Sequence, residues 1–190
     1  MKLPYDLVVF DLEASGESYN RITEIGAVRV TKKFEMAETF TTLVDGRPIT
    51  PRVAGIVPIT NKMLEEAPGF LEAGSMFFDW CRGVSKGFIL ASWSASFDFS
   101  LLREEYKRLD MDYPFHGKGI DLKSIAYMNF WQRGIDIRTC GVKKTLERLG
   151  LSFDGTAHRA LDDAKMEAKI FLRLSEMQFQ KTSFPQDKRR

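Results

Sequence analysis

Four carboxylates and one imidazole fall in three separated blocks of this chain. Asp11 and Glu13 lie in VVFDLEASG, Asp98 in SASFDFSLL, and His158 with Asp163 in AHRALDDA. Carboxylate oxygens are hard ligands that suit two divalent ions, and an imidazole can take a proton from a polarised water. Such a set is equipped for attack of water on a phosphodiester. Each block on its own has a plainer explanation, so the chemistry depends on their convergence.

Asp11 and Glu13 are two apart on an extended segment, which points both side chains to the same face. Like charges placed there repel, and a divalent ion that accepts oxygen from both reverses the cost. An acid pair is also common where a strand runs out into a polar loop, and alone this block favours that account. Asp98 follows a strand and opens a helix that Ser94 or Ser96 could cap. An acid in a first helical turn suits the helix dipole without any metal. The metal reading gains because the strand before Asp98 should lie beside the one that ends at Asp11.

The third block separates two adjacent acids. Ala160, Ala164, Ala168 and Phe171 form a narrow inward helix face. At about 100° per residue, Asp163 lies about 60° from Ala160, and Asp162 roughly 160° away towards solvent. Asp163 is the ligand candidate and Asp162 its solvated neighbour. His158 is five residues before Asp163, too far round one helix to share its face, so it belongs in a loop or first turn. The expected centre therefore has Asp11 (bridging), Glu13, Asp98 and Asp163 as metal ligands, with His158 as proton acceptor. Two magnesium ions suit an all-carboxylate set, and manganese should substitute.

These residues need a scaffold. Tyr5–Leu12, Ile22–Val30 and Phe34–Val44 read as strands, the last two joined at Lys32-Lys33. Pro48, Pro51 and Pro58 mark an irregular crossing, and Phe70 to Val84 has helical spacing. Then come a strand at Phe88–Ser92, a helix carrying Phe99 to Leu109 and a short strand near Gly119-Ile120. Helices near Leu122–Phe130 and Val142–Leu149 precede a final helix from about His158 to Met177. A strand meander followed by strand–helix alternation predicts an α/β fold, a mixed five-stranded sheet flanked by helices. Ligands of such sheets bind beyond the carboxyl ends of strands, where Asp11 and Glu13 lie.

The 190 residues are 44% hydrophobic and 28% charged, enough for one domain with a real core. Residues 1–180 are expected to form it, with 181–190 a tail ending in Lys188-Arg189-Arg190. No basic leader precedes a long apolar run, so a cytoplasmic protein without a membrane partner is expected. Cys81 and Cys140 lack CxxC partners and only two histidines are present, which argues for free thiols and against structural zinc. A net charge of +2 neither demands nor excludes a polyanionic partner.

The blocks DLEASG, SASFD and HRALDDA resemble, in order, the three exonuclease blocks of the DnaQ-like DEDD-type 3′-to-5′ exonucleases. The His158, Ala160 and Asp163 spacing is similar to the histidine-containing branch, DEDDh. LERLGLSFDGTAHRALDDAKMEAKIFLRL, Ser92-Trp93 and GIDLKSIAYMNFW look like the 3′ histone-mRNA exonuclease-like branch, which acts on RNA. The resemblance covers Tyr5 to about Leu174. It implies a ribonuclease H-like sheet, magnesium or manganese dependence, and nucleoside 5′-monophosphate products. It also implies that Ala14 and Ser15 meet the terminal sugar through their backbone, with Gly16 permitting close approach. Phe97 is implied as a base neighbour, and Trp93 stands between core and groove. Ser94 replaces the branch's frequent asparagine, and Pro58-Ile59-Thr60 replaces a Gly-Ile-Thr segment beside the terminal base. The expected partner is the 3′ end of single-stranded RNA, or of DNA in the rival reading. The alternatives are a non-catalytic nucleic-acid-binding module, against which the presence of all five residues argues, and an internally cutting nuclease, which gives no reason for His158 five before Asp163.

Overall fold

Leu7 to Phe10 is apolar at every position, which suits a strand covered on both faces. In the computed structural model, which describes residues 2–16, 20–138 and 140–179 (the last two by backbone alone), this run lies in the central strand. The strands are β1 (Asp6–Ala14), β2 (Ile22–Val30), β3 (Met36–Leu43), β4 (Phe88–Ser92) and β5 (Ile120–Asp121). The helices are α1 (Pro51–Ala54), α2 (Phe70–Val84), α3 (Ala95–Arg108), α4 (Leu122–Trp131), α5 (Val142–Arg148) and α6 (Ala160–Phe179). The sheet order is β3-β2-β1-β4-β5. β1, β2 and β3 pair antiparallel, whereas β4 lies parallel to both β1 and β5. This is the expected mixed α/β sheet with helices on its faces.

The period of two along β1 divides the core. Leu7 and Val9 face a cluster built with α4, α5 and α6, while Val8, Phe10 and Leu12 face one built with α2 and α3. Phe10 is fully buried, with ring centroids 6.0 Å from Phe77 and 5.2 Å from Phe99. Truncating a phenylalanine so placed costs about 3–5 kcal/mol. Asp11 and Glu13 continue the Leu7–Val9 face and so turn towards α6.

Element boundaries differ from expectation where it matters to these acids. β1 runs two residues past Leu12, so Glu13 is a strand residue paired with Glu24. α3 starts at Ala95, which puts Asp98 inside its first turn, as expected. The proline-rich crossing holds α1, capped by Thr50, and a 3-10 turn at Asn61–Leu64, capped by Thr60. Each threonine hydroxyl accepts a backbone N–H that the short helix cannot satisfy itself.

Both cysteines are buried free thiols. Among the described residues no helix is long and apolar enough to cross a membrane. The basic Lys188-Arg189-Arg190 cluster lies outside the described residues.

Candidate active site

The carboxyl ends of β1 and β4 open into a cleft of about 680 Å³. Asp11, Glu13, Asp98, Asp163, Glu167 and His158 all line it. The three blocks are thus brought together by one strand end, one strand–helix junction and one helix start.

Asp11 pairs with Gly26 across the β1–β2 ladder, at the point where the strand enters the cleft. Burial raises its carboxyl well above the usual range, reinforced by the charges of Glu167, Asp98, Glu13 and Asp163. Burial, with Asp163, Glu24 and Asp98 adding to it, pushes Glu13 up to about 8 against the opposing pull of Arg159. The side-chain charges acting most strongly on Asp11 are all carboxylates, an arrangement that calls for a cation.

Asp98 is 1% exposed and reaches the cleft from the first turn of α3. The Ser92 hydroxyl donates to its Oδ2, and the Ser94 carbonyl accepts the Asp98 N–H at 3.0 Å. Neither Ser94 nor Ser96 caps α3 through its side chain. Ser94 is the N-cap residue, but the nearby hydroxyl that holds Asp98 belongs to Ser92. Burial pushes Asp98 up to about 7 despite its hydrogen bonds to Ser92 and to the backbone of Leu12 and Asp98.

The start of α6 is held to the sheet by features not identified from the sequence. Ala160, Ala164 and Ala168 are fully buried. A Cβ on Gly26 would run into the Ala160–Leu161 backbone, so only glycine lets the helix come this close to β2. Glu24 is buried; both its oxygens meet the Arg159 guanidinium, and Oε2 accepts the Ala160 N–H at 2.9 Å. A carboxylate there satisfies an orphan helix donor and suits the dipole. A glycine inside an apolar strand was the legible hint. The Glu24–Arg159 pair, 135 residues apart, had none.

His158 lies two residues before α6, exposed, with a left-handed backbone (φ 60°). Its N–H donates to Asp163 Oδ2 at 2.8 Å. Burial raises the Asp163 carboxyl, and that backbone bond opposes the rise. Asp162 departs from the solvated role expected of it. Its Oδ2 accepts the Thr156 N–H at 2.9 Å, and its side chain packs where a Cβ on Gly155 (φ 123°) would sit. The adjacent acids thus divide the work: Asp163 faces the cleft, and Asp162 ties down the loop that carries His158. Ligand atoms of Glu13, His158 and Asp163 lie within 4.8 Å of one another.

Glu167, one turn beyond Asp163, is a fifth carboxylate missed in the sequence. It is 2% exposed, and its Oε2 accepts the Trp93 N–H at 3.0 Å. Its signal was available: seven residues beyond Ala160 is about 20° from it on a helical wheel, well inside the buried stripe.

A second cleft of about 390 Å³ adjoins the first, sharing Leu12, Glu13, Phe97 and His158. Ala14, Gly16, Val53, Ile56 and Val57 line it. Gly16 is required there because a Cβ would collide with the Thr50 side chain. Ser15 corrects the expectation of a sugar contact. It is 1% exposed, its N–H donates to the Arg21 carbonyl, its carbonyl accepts from Thr50, and its hydroxyl accepts from Arg21. These internal bonds hold the loop in shape and leave the cleft wall to Ala14 and Gly16. Phe97, 43% exposed, borders both clefts. Trp93 is both core and wall: 5% exposed, edge-on to Tyr127, and lining the larger cleft alone. Ile59 of the Pro58-Ile59-Thr60 segment is buried with Ile49 and Leu64, so Val53, Ile56 and Val57 form the apolar wall instead.

The exonuclease family model matches residues 8–171. This chain belongs to the exonuclease family. The chain is 34% identical over 167 residues to the DNA polymerase III subunit epsilon of Treponema pallidum, covering 85% of this chain and 73% of that protein. It is 32% identical over 175 residues to a PolC-type DNA polymerase III of Thermotoga petrophila. That match covers 90% of this chain but only 12% of the relative's length. Among solved structures, the nuclease domain of 3′hExo, a DEDDh family member bound to rAMP, superposes with a TM-score of 0.81. The superposition covers 93% of this chain and 94% of that one at 21% identity, a likeness of fold.

Proposed function

We propose that this chain is a divalent-metal-dependent 3′-to-5′ exonuclease acting on single-stranded nucleic acid, with RNA favoured, and that residues 1–180 form its exonuclease domain. One observation carries the reading: in an exonuclease-family chain, carboxylates from β1, α3 and α6 and an exposed histidine line one cleft. The donor set fits divalent ions. It consists of oxygen donors that repel one another when empty, and each of Asp11, Glu13, Asp98 and Asp163 is raised above its ordinary range. These four would hold two magnesium ions, with manganese able to substitute. Bound there, the ions would polarise the attacking water and offset charge on the leaving oxygen.

The chain's own residues supply the rest. The smaller cleft takes the terminal nucleotide, with Phe97 against a base and the backbone of Ala14 and Gly16 beside its sugar. His158, at the border of the two clefts, takes a proton as water attacks the last phosphodiester phosphorus. The bond from that phosphorus to the preceding 3′ oxygen breaks. A nucleoside 5′-monophosphate leaves, and the shortened strand carries a new 3′ hydroxyl. Trp93 borders the next stretch of strand in the larger cleft. Two free thiols suit a cytoplasmic setting for this chemistry.

A DNA exonuclease is the second reading, favoured by the DNA polymerase III relatives. Matched 5′-labelled RNA and DNA oligonucleotides with magnesium, beside closed circles, test both. A ladder shortening from the 3′ end, faster on RNA, with circles untouched, is the expected result. Faster DNA digestion would transfer the assignment to the second reading. Efficient cutting of circles would overturn both.

A further inference from the structure

We propose that Glu167 is a positioning residue of the metal centre whose negative charge, set beside Asp11 and Asp98, strengthens divalent-ion binding. The proposal rests on the metal-dependent reading above.

Glu167 is on α6 but touches the far side of the cleft. Its Oε2 accepts the N–H of Trp93, the residue linking β4 to the turn that presents Asp98. The side chain is 2% exposed, and what it does see is the cleft shared with Asp11, Asp98 and Asp163. Of the charges that raise Asp11, that of Glu167 acts most strongly, ahead of Asp98, Glu13 and Asp163. Asp98 is in turn the strongest charge acting on Glu167. Glu167 thus shares one cleft with the carboxylates of β1 and α3.

An acceptor for the Trp93 N–H does not require a charge. A glutamine has nearly the same shape, offers a carbonyl oxygen, and avoids placing a fifth anion among four. Burying a carboxylate among like charges costs several kcal/mol unless a cation offsets it. Burial, with Asp98 beside it, holds the Glu167 carboxyl well above its ordinary range, so the empty protein disfavours the charged form and a bound cation favours it. The effect of Glu167 runs in two ways: it draws divalent ions to the Asp11–Asp98 pair, and it ties α6 to the turn behind Asp98.

Glu167→Gln separates those effects, since it keeps the acceptor and removes the charge. Manganese binding to the substrate-free protein, followed by titration calorimetry, should weaken about 10- to 100-fold, the range for residues that support ligands. In EDTA the variant should melt at or above the temperature of the natural protein, because the glutamine keeps the acceptor and has no charged form to bury. Unchanged manganese affinity would overturn the inference, leaving Glu167 as a hydrogen-bond acceptor alone. A clearly lower melting temperature in EDTA would also overturn it, since the charge would then serve the fold. Asp11→Asn is the control. If the natural protein binds no manganese, the metal reading itself fails; if only Asp11→Asn loses binding, the Glu167 inference fails by itself.

Discussion

On the floor of the cleft, Asp11, Asp98 and Glu167 sit on a strand or helix packed into the two cores, and at least Asp98 and Glu167 are almost fully buried. On its rim, His158 and Phe97 are exposed, and His158 is placed by a backbone bond to one of the acids. The floor holds groups that repel one another and needs rigid packing and ions to do so. The rim holds groups that must meet a moving strand, and local bonds suffice. A packed floor is sensitive to charge, whereas a rim is sensitive to contact.

The largest break should come from the floor. Asp11→Asn should lower turnover by several kcal/mol, on the order of a thousandfold, while circular dichroism and melting stay native. Substantial remaining activity would remove Asp11 from the site. His158→Ala should slow single-turnover cleavage about 10²- to 10⁴-fold and leave manganese affinity nearly unchanged. An unaltered rate at neutral pH would end its role as proton acceptor.

Smaller effects sharpen the contrast. Phe97→Ala should weaken binding of single strands by about 1–3 kcal/mol, seen in KM more than kcat. Gly26→Ala should cost about 1–3 kcal/mol of stability by pushing α6 off β2, and activity should fall with it. Normal melting of that variant would show that the helix start can shift without cost.

The floor should also make stability depend on pH. Glu13 and Asp98 are raised to about 8 and about 7 in the folded, metal-free protein, above their ordinary 4.5 and 3.8. Over that interval the folded state binds more protons than the unfolded one, so stability falls as pH rises. Their contribution is fully present below about pH 4 and lost as pH climbs through about 7 and 8. Melting of the metal-free protein in EDTA should therefore decline over that range, and magnesium should flatten the decline. A flat EDTA profile would mean that burial does not hold these two acids protonated.

Much of the fold was legible. Period-two and helical spacing located the five strands and the long helices, with shifts of a few residues at their ends. The short α1 was hidden because three prolines in the crossing mask a single capped turn. Within the site, the spacing of Asp11 and Glu13 and the wheel around Ala160 selected acids that the structure brings to one cleft. Asp162 was misjudged because a wheel describes only the helix, and its partner Thr156 lies in the loop before it. Ser15 was misjudged because its expected sugar contact came from resemblance, while its polar groups are committed to Arg21 and Thr50.

The sequence by itself determined which acids share a face, because strand and helix periods follow from local backbone geometry. It also determined the order of the blocks that marks the exonuclease family. Only the tertiary structure decided how the faces meet: Gly26 admitting α6, Glu24 gripping Arg159, and Glu167 reaching Trp93. Those contacts join residues far apart in the chain, and their energies depend on distance and burial, which local spacing does not encode.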